Sequence, residues 1–267
     1  VVGVDCLTTM RCIFAVLASI AVFSRPSFGR VAVLQWNPHW ECFTQSSTCK
    51  ANAEGSLKWA LGNYGVDFAN VVEIMDGGYG PPSPYAMDKK TCGGDATSLI
   101  YNTAAWSPLG GAVSGCMISN DRSYVVRAFQ SRSDGTKVIV AGAHYPHTYQ
   151  GGDGALRDAI QQVKGSVPDA VGVIFAADTN REHTESTASI VSHLTGASSV
   201  IATDLLLSCC LDDGYTHTYD RVAATFGYGM QTQMLFDPAP SWVKIPKGEF
   251  HKAILGTFQV GTEEVAV

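Results

Sequence analysis

The stretch VIFAADTNRE, residues 173–182, is the most informative part of this 267-residue sequence for fold and function. The apolar run 171–177 predicts a buried strand, and it ends at Asp178, Thr179 and Asn180. One interpretation is a plain turn, because these three side chains can replace backbone hydrogen-bond partners. The other is a functional strand end, because carboxylate and amide oxygens bind cations. The rest of the sequence helps to decide between the two.

Polar residues follow other predicted strands in the same way. Apolar, β-branched runs predict strands over 31–35, 71–74, 97–101, 124–128, 137–143, 220–225 and 253–260. Residues suited to metal binding or acid–base chemistry lie at or near the ends of several: Asn37, Glu73, His144, Asp220 and His251. In α/β proteins functional side chains gather at strand ends, where a rigid sheet holds the loops. This repetition favours the functional interpretation of Asp178 and Asn180.

The order of the predicted elements indicates one α/β domain. Helical periodicity predicts helices over 53–64, 156–163 and 187–194, and Gly/Pro-rich loops are expected over 76–85, 107–115 and 147–154. Strands and helices alternate near both ends of the domain, which favours two packed sheets covered by helices. We expect this domain to span residues 30–267.

Composition limits the classes of function. Hydrophobic residues make up 46% and charged residues 16%, as is typical of a globular protein with a sizeable core. The formal net charge of −6 argues against a protein that coats nucleic acid through a basic surface. The negative net charge does not exclude an enzyme in which a bound metal ion supplies the positive charge at a single phosphodiester.

Residues 1–29 predict upstream residues followed by a secretory signal peptide. Met10 and Arg11 precede the apolar run 13–23, which is too short to span a bilayer, and Ser27 and Gly29 suit cleavage after Gly29. No later apolar run reaches eighteen residues, so we expect a soluble, secreted protein.

Six cysteines follow the predicted signal, and an even number in an oxidising compartment indicates disulfides. Cys42 and Cys49 bracket a short polar loop and are a natural pair, and Cys92 can pair with Cys116 across a hairpin. A bond between the neighbours Cys209 and Cys210 is geometrically demanding, so their pairing stays open. Zinc is an alternative that the sequence disfavours, because it has no Cys-x-x-Cys spacing.

Five short motifs carry a resemblance when their order and spacing are taken together. They are LQWN (34–37), VVEI (71–74), AGAHYPH (141–147), AADTN (176–180) and TYDRV (218–222). Together they resemble the endonuclease/exonuclease/phosphatase superfamily, which includes deoxyribonuclease I, over about residues 30–258. The resemblance implies an α/β fold, a four-layered sandwich of two mixed β-sheets flanked by helices.

The resemblance also implies a site that hydrolyses a phosphodiester by water attack with Mg²⁺ or Mn²⁺. Its catalytic residues would be His144, His251, Asp178, Asp220 and Asp95, with Asp220 and Asp95 as carboxylate partners of the two histidines. Glu73 and Asn37 would bind the metal ion, and Asn180 would bind the substrate phosphate. Arg181 and the pair Lys89-Lys90 are candidates to contact a nucleic-acid backbone, which a nuclease must bind on both sides of the cut.

One motif departs from the family pattern. Relatives carry Ser-Asp-His, whereas residues 249–251 read Glu-Phe-His. In a strand, an offset of one residue turns a side chain to the other face, so Glu249 could replace the aspartate only through a bulge. We therefore expect metal binding to rest on Glu73 and Asn37 alone, or activity to be reduced.

The leading hypothesis is a secreted, monomeric endonuclease of the deoxyribonuclease I type that acts on nucleic acid and has no stable protein partner. The first alternative is a sphingomyelinase- or inositol-phosphate-type phosphoesterase, with a phospholipid or small phosphate ester as substrate. The second is a non-catalytic binding protein of the same fold.

Overall fold

The computed structural model describes residues 29–74, 79–147, 153–181, 185–243 and 249–261. The first sheet contains, in spatial order, β11 (Tyr228–Leu235), β12 (Ala253–Gln259), β1 (Arg30–Trp36), β2 (Phe68–Val72), β4 (Asp95–Asn102) and β3 (Tyr85–Cys92). Strands β1 and β2 are parallel and the other neighbours are antiparallel. Helices α1 (Trp40–Thr44) and α2 (Ser47–Asn63) cover its outer face.

The second sheet contains β5 (Trp106–Ile118), β6 (Asp121–Ser131), β7 (Lys137–His144), β8 (Val173–Asp178), β10 (Asp220–Ala224) and β9 (Ile201–Ala202). Here β7 and β8 are parallel, and His144 lies opposite Asp178 in their register. Helices α3 (Asp153–Ser166) and α4 (Thr187–Thr195) cover this sheet.

The two sheets pack face to face because their central strands are apolar on both faces. In β1, Val31 and Val33 join the core between the sheets, whereas Ala32 and Leu34 pack beneath the helices. Alternate residues of a strand point to opposite faces, so an uninterrupted apolar run is buried on both sides. The result is the predicted four-layered sandwich.

Two sequence-based element predictions were wrong. Residues 107–115, expected to form a loop, belong to β5 and pair with β6. Glycine is needed there because a Cβ on Gly115 would lie 2.5 Å from the hydroxyl of Tyr124. Residues 47 and 48, expected to be part of the loop between Cys42 and Cys49, open α2, since the Ser46 hydroxyl accepts from the Cys49 N–H and caps the helix.

Disulfides join Cys42 to Cys49 and Cys92 to Cys116, as predicted. Cys209 and Cys210, whose pairing the sequence left open, are bonded to each other. Of residues 1–29, predicted to be upstream residues and a signal peptide, all but Gly29 lie outside the described residues, as do parts of the loops 76–85 and 147–154. Among the described helices, none has the length and apolarity needed to cross a bilayer.

Candidate active site

Strand ends from both sheets meet around one cavity of about 740 Å³. Asn37 and Glu73 follow β1 and β2, and His144 and Asp178 end β7 and β8. Each pair belongs to neighbouring parallel strands, whose carboxyl ends lie at the same edge of a sheet. The packing of the two sheets brings the two pairs together.

The first histidine–carboxylate pair is His144 with Asp95, which opens β4. His144 Nδ1 donates to Asp95 Oδ1 over 2.7 Å, and Ser123 donates its N–H and hydroxyl to Asp95 Oδ2. Burial acts to raise the pKa of Asp95, but the charge of His144 and these hydrogen bonds lower it to about 2. Burial and the charge of Arg122 lower the pKa of His144, but the charges of Asp95 and Asp178 outweigh them, and the pKa rises above its usual value.

The second pair is His251 with Asp220, and a buried chain of amides supports it. His251 Nδ1 donates to Asp220 Oδ2 over 2.7 Å, and Gln35 Nε2 donates to Asp220 Oδ1 over 3.0 Å. Asn70 in turn donates to Gln35 Oε1 over 2.7 Å. Burial acts to lower the pKa of His251, yet the charges of Asp220 and Asp178 raise it to about 9.

Asp178 lies between the two histidines. Its Oδ2 is 3.6 Å from His144 Nε2 and 3.8 Å from His251 Nδ1. Asn37 donates to Oδ2 over 2.9 Å, and the Asn180 N–H donates to Oδ1 over 3.1 Å. Burial acts to raise the pKa of Asp178, but the nearby histidine charges and these donors lower it. Asp178 is therefore held as a carboxylate.

Glu73 offers the cavity a carboxylate oxygen suited to a metal ion. Its Oε2 accepts from the Trp40 N–H over 2.8 Å, whereas Oε1 lies 3.7 Å from both Arg122 and His144. Glu73 also lies in a cluster with Asp95 and His144 whose potential ligand atoms are within 4.8 Å of one another. Oxygen donors of this kind suit Mg²⁺ or Mn²⁺.

By sequence, neither a family model nor a curated protein matches this chain. Solved structures do resemble it. An endonuclease/exonuclease/phosphatase from Bacteroides vulgatus superposes with a TM-score of 0.64 at 10% identity, covering 87% of this chain and 100% of the other. D. rerio TDP2, complexed with a single-strand DNA product, gives 0.60 at 16% identity over 87% and 100% of the two chains. The mannosyl-6-phosphatase of Bacteroides thetaiotaomicron gives 0.59 at 9% identity over 85% and 98%.

This chain has the endonuclease/exonuclease/phosphatase fold. At identities of 9–16% the similarity shows only the fold. The chemistry of the site must therefore be inferred from the geometry of this chain's own residues.

Within this fold, the predicted site residues separate into two groups. The cavity is lined by Asn37, Glu73, Asp95, His144, Asp178, Asn180 and His251, and Asp220 lies directly behind His251. Arg181 is not among the lining residues. Its guanidinium pairs with Asp153 and Glu185 and lies over the ring of Tyr145. Lys89 and Lys90 lie in β3, also outside the described lining.

Glu249 of the Glu-Phe-His motif reaches the cavity without the predicted bulge. Residues 249–252 precede β12, so the two-residue alternation of a strand does not apply to them. Phe250 is fully buried against Trp36 and Trp242, whereas Glu249 lines the cavity. The carboxylate of Glu249 lies 2.6 Å from His39 Nε2. A carboxylate thus remains at this wall, paired with a histidine.

Several residues that line or support the cavity were missed in the sequence. Arg122 lies 2.7 Å from His144 Nε2, and His39 and His217 are lining residues. Buried Arg221 donates to the backbone carbonyls of Thr218, Arg181 and Glu185, and thereby holds Arg181 and Glu185 in place. Only the segment TYDRV hinted at Arg221, and no local pattern marks the others.

Four lining residues have left-handed backbones. His39, Glu73, Arg122 and Asn180 have φ values of 68°, 59°, 54° and 45°. Such conformations are unfavourable for residues other than glycine and asparagine and cluster at functional sites. At these four residues the chain adopts an unfavourable backbone conformation that places the side chain at the cavity.

Proposed function

We propose that this protein is a divalent-metal-dependent phosphoester hydrolase, with nucleic-acid phosphodiesters as the leading substrates. The observation that carries the proposal is the position of Asp178 between two buried histidine–carboxylate pairs, His144–Asp95 and His251–Asp220. A binding protein has no need to keep these five ionisable groups in this arrangement around one cavity.

The geometry supports a role for each group. Asp178, held as a carboxylate, accepts a hydrogen bond from the attacking water and orients it. His251 stays protonated near neutral pH, since its pKa is about 9, and can donate to a phosphate oxygen or the leaving oxygen. His144 faces Asp178 from the other side, and Arg122, 2.7 Å from His144 Nε2, offers positive charge to the developing negative charge on phosphate.

Glu73, with Asn37 beside it, would hold the metal ion, which as a Lewis acid would stabilise charge on the phosphate oxygens. Asn37 Oδ1 accepts from the His39 N–H while its Nδ2 donates to Asp178. The amide oxygen keeps a second lone pair for a cation.

The charge of the cavity supports a second candidate, a small phosphate ester. Seven carboxylates line it, namely Glu73, Asp95, Asp121, Asp178, Asp212, Asp213 and Glu249, against one arginine and no lysine among the described lining residues. A long polyanion gains affinity from flanking cations, whereas a compact ester needs only the metal and the histidines. D. rerio TDP2, solved with a single-strand DNA product, and the mannosyl-6-phosphatase span both kinds of substrate.

We place this activity outside the cell, as the predicted signal and the disulfides together suggest, in a monomer. The test uses the chain from Arg30 onward, with plasmid DNA, a single-stranded oligonucleotide, bis-nitrophenyl phosphate and sugar phosphates as substrates. Each is incubated with Mg²⁺, Mn²⁺ or a chelator.

His144→Ala should remove hydrolysis, and His193→Ala, at an exposed position of α4, should leave it intact. Hydrolysis of DNA supports the leading substrate, and hydrolysis of the small esters alone supports the second candidate. A folded protein that hydrolyses none of these substrates with either metal would contradict the proposal.

A further inference from the structure

The bonded pair Cys209–Cys210 forms part of the cavity wall beside His251. Both cysteines are lining residues, and Cys210 Sγ lies 3.6 Å from His251 Nε2. The mechanism above gives the two sulfurs no task. The potential ligand atoms of Cys209, Cys210 and His251 all lie within 4.8 Å of one another.

These distances suit a thiophilic cation once the sulfur–sulfur bond is cleaved. Zinc binds thiolate sulfur at about 2.3 Å and imidazole nitrogen at about 2.0–2.1 Å, so two such ligands of a tetrahedral ion lie roughly 3.6 Å apart. Cys210 Sγ and His251 Nε2 are already at 3.6 Å. Cleavage would free Cys209 Sγ and Cys210 Sγ to separate to the roughly 3.8 Å that two thiolates of one zinc ion require.

The imidazole is also oriented as a metal ligand. Asp220 Oδ2 accepts from His251 Nδ1 over 2.7 Å, which leaves Nε2 as the nitrogen facing the sulfurs. Metal-bound histidines commonly donate their other N–H to a carboxylate, which fixes the ring and strengthens the ligand. Gln35 fixes Asp220 in turn.

We infer that reduction of Cys209–Cys210 creates a three-ligand site for Zn²⁺ or a similar thiophilic divalent cation, made by both thiolates and His251. The reductant is a dithiol or a phosphine. A phosphine and one water convert the disulfide to two thiols and yield the phosphine oxide. Binding of the cation then releases the two thiol protons and the Nε2 proton of His251, and a fourth coordination position remains for water.

Occupation of this site engages His251 Nε2, so it would stop the hydrolysis proposed above. This consequence rests on the proposed function, but metal binding does not. The disulfide would then keep His251 free for chemistry, and its reduction in the presence of zinc would switch the protein off.

The test measures binding first. Protein reduced with a phosphine and desalted without oxygen is titrated with Cd²⁺, a spectroscopic substitute for Zn²⁺, and thiolate-to-metal absorption is recorded in the ultraviolet. We expect one tight equivalent that the oxidised protein lacks. Cys209→Ser/Cys210→Ser should lose it, and Cys92→Ser/Cys116→Ser, which removes a disulfide outside the cavity lining, should keep it.

Asp220→Asn keeps all three ligands and should weaken binding about 10–100-fold, an effect that a thiolate pair acting without the histidine would not show. Absorption that persists in Cys209→Ser/Cys210→Ser, or none in the reduced wild-type protein, would overturn the inference. If the reduced protein binds Zn²⁺ but hydrolyses no ester, the inferred metal site is supported and only the proposed function is contradicted.

Discussion

The side-chain amide of Asn37 donates to Asp178 Oδ2 over 2.9 Å and thereby joins the ends of strands in different sheets. Asn37 follows β1 of the first sheet, and Asp178 ends β8 of the second. Neither sheet alone contains the site. The carboxylate that we assign to the water is oriented only after the two sheets have packed.

Asn37→Asp should therefore damage activity more than stability. The new carboxylate faces Asp178, and like charges raise the pKa of one of the two. We expect kcat to fall about 10²-fold or more at neutral pH, and the acid limb of the pH–rate profile to move to higher pH. The measurement is kcat against pH on bis-nitrophenyl phosphate, and an unchanged limb would argue against Asp178 as the group that orients water.

Gly142→Ala tests the buried chain that supports His251. A Cβ at Gly142 would lie 2.3 Å from Asn70 Oδ1, so Asn70 must move, and with it Gln35 and Asp220. We expect the free energy of unfolding to fall by about 1–3 kcal/mol, with a loss of kcat.

Gly62→Ala is the matched control, since a Cβ there meets nothing within 4 Å and Gly62 lies in α2. It should stabilise the protein by about 0.5–1 kcal/mol. Urea unfolding of both variants provides the comparison, and equal stability of the two would count against a rigid chain from Asn70 to His251.

The His251–Asp220 pair should make stability depend on pH in the alkaline range. The pKa of His251 is raised from 6.5 to about 9, so the folded state holds its proton more tightly than the unfolded state. This stabilisation is complete below about pH 6.5 and is lost as the pH rises through about 9, by at most about 3 kcal/mol. Denaturant unfolding between pH 6 and 10 should show a decline that His251→Asn removes. Parallel curves for the two proteins would show that the pair does not hold the proton.

Glu73→Gln separates metal binding from folding. In the wild-type protein, Mg²⁺ or Mn²⁺ at one hundred times its dissociation constant should stabilise the fold by about 2.7 kcal/mol. Glu73→Gln should lose both this shift and the activity, and Glu54→Gln, in α2, should keep both. Thermal melts with and without the metal measure the shift. A full shift in Glu73→Gln would place the metal elsewhere.

Site residues that lie at the ends of apolar strands could be predicted from the sequence. Site residues whose position depends on which strands pair with one another could not. His144 and Asp178 follow apolar runs, so their strands and their common edge could be inferred from local pattern. Arg122 lies at the start of β6, just after the turn at 119–120, and His39 directly precedes α1, so no period links them to the site. Arg122 reaches His144 because β6 pairs with β7, a contact that the linear pattern does not specify.

The prediction that Glu249 needs a bulge to reach the site was wrong because it assumed that residues 249–251 form a strand. The alternation rule was applied to residues that lie before the strand, where the chain is free to point Phe250 into the core and Glu249 into the cavity. Arg181 lies outside the cavity lining for another reason. It follows Asn180 directly, but Asp153 on α3 offers an ion pair that draws the guanidinium away.

The left-handed backbones at His39, Glu73 and Arg122 bear on how such a protein would evolve. Each costs about 1–2 kcal/mol that glycine would not incur, and the chain keeps these residues nonetheless. A lineage released from selection for activity would gain thermal stability by drifting to glycine or asparagine at these three positions. Descendants that have lost the activity should therefore be recognisable by relaxed backbones around an otherwise intact fold, before their cores change at all.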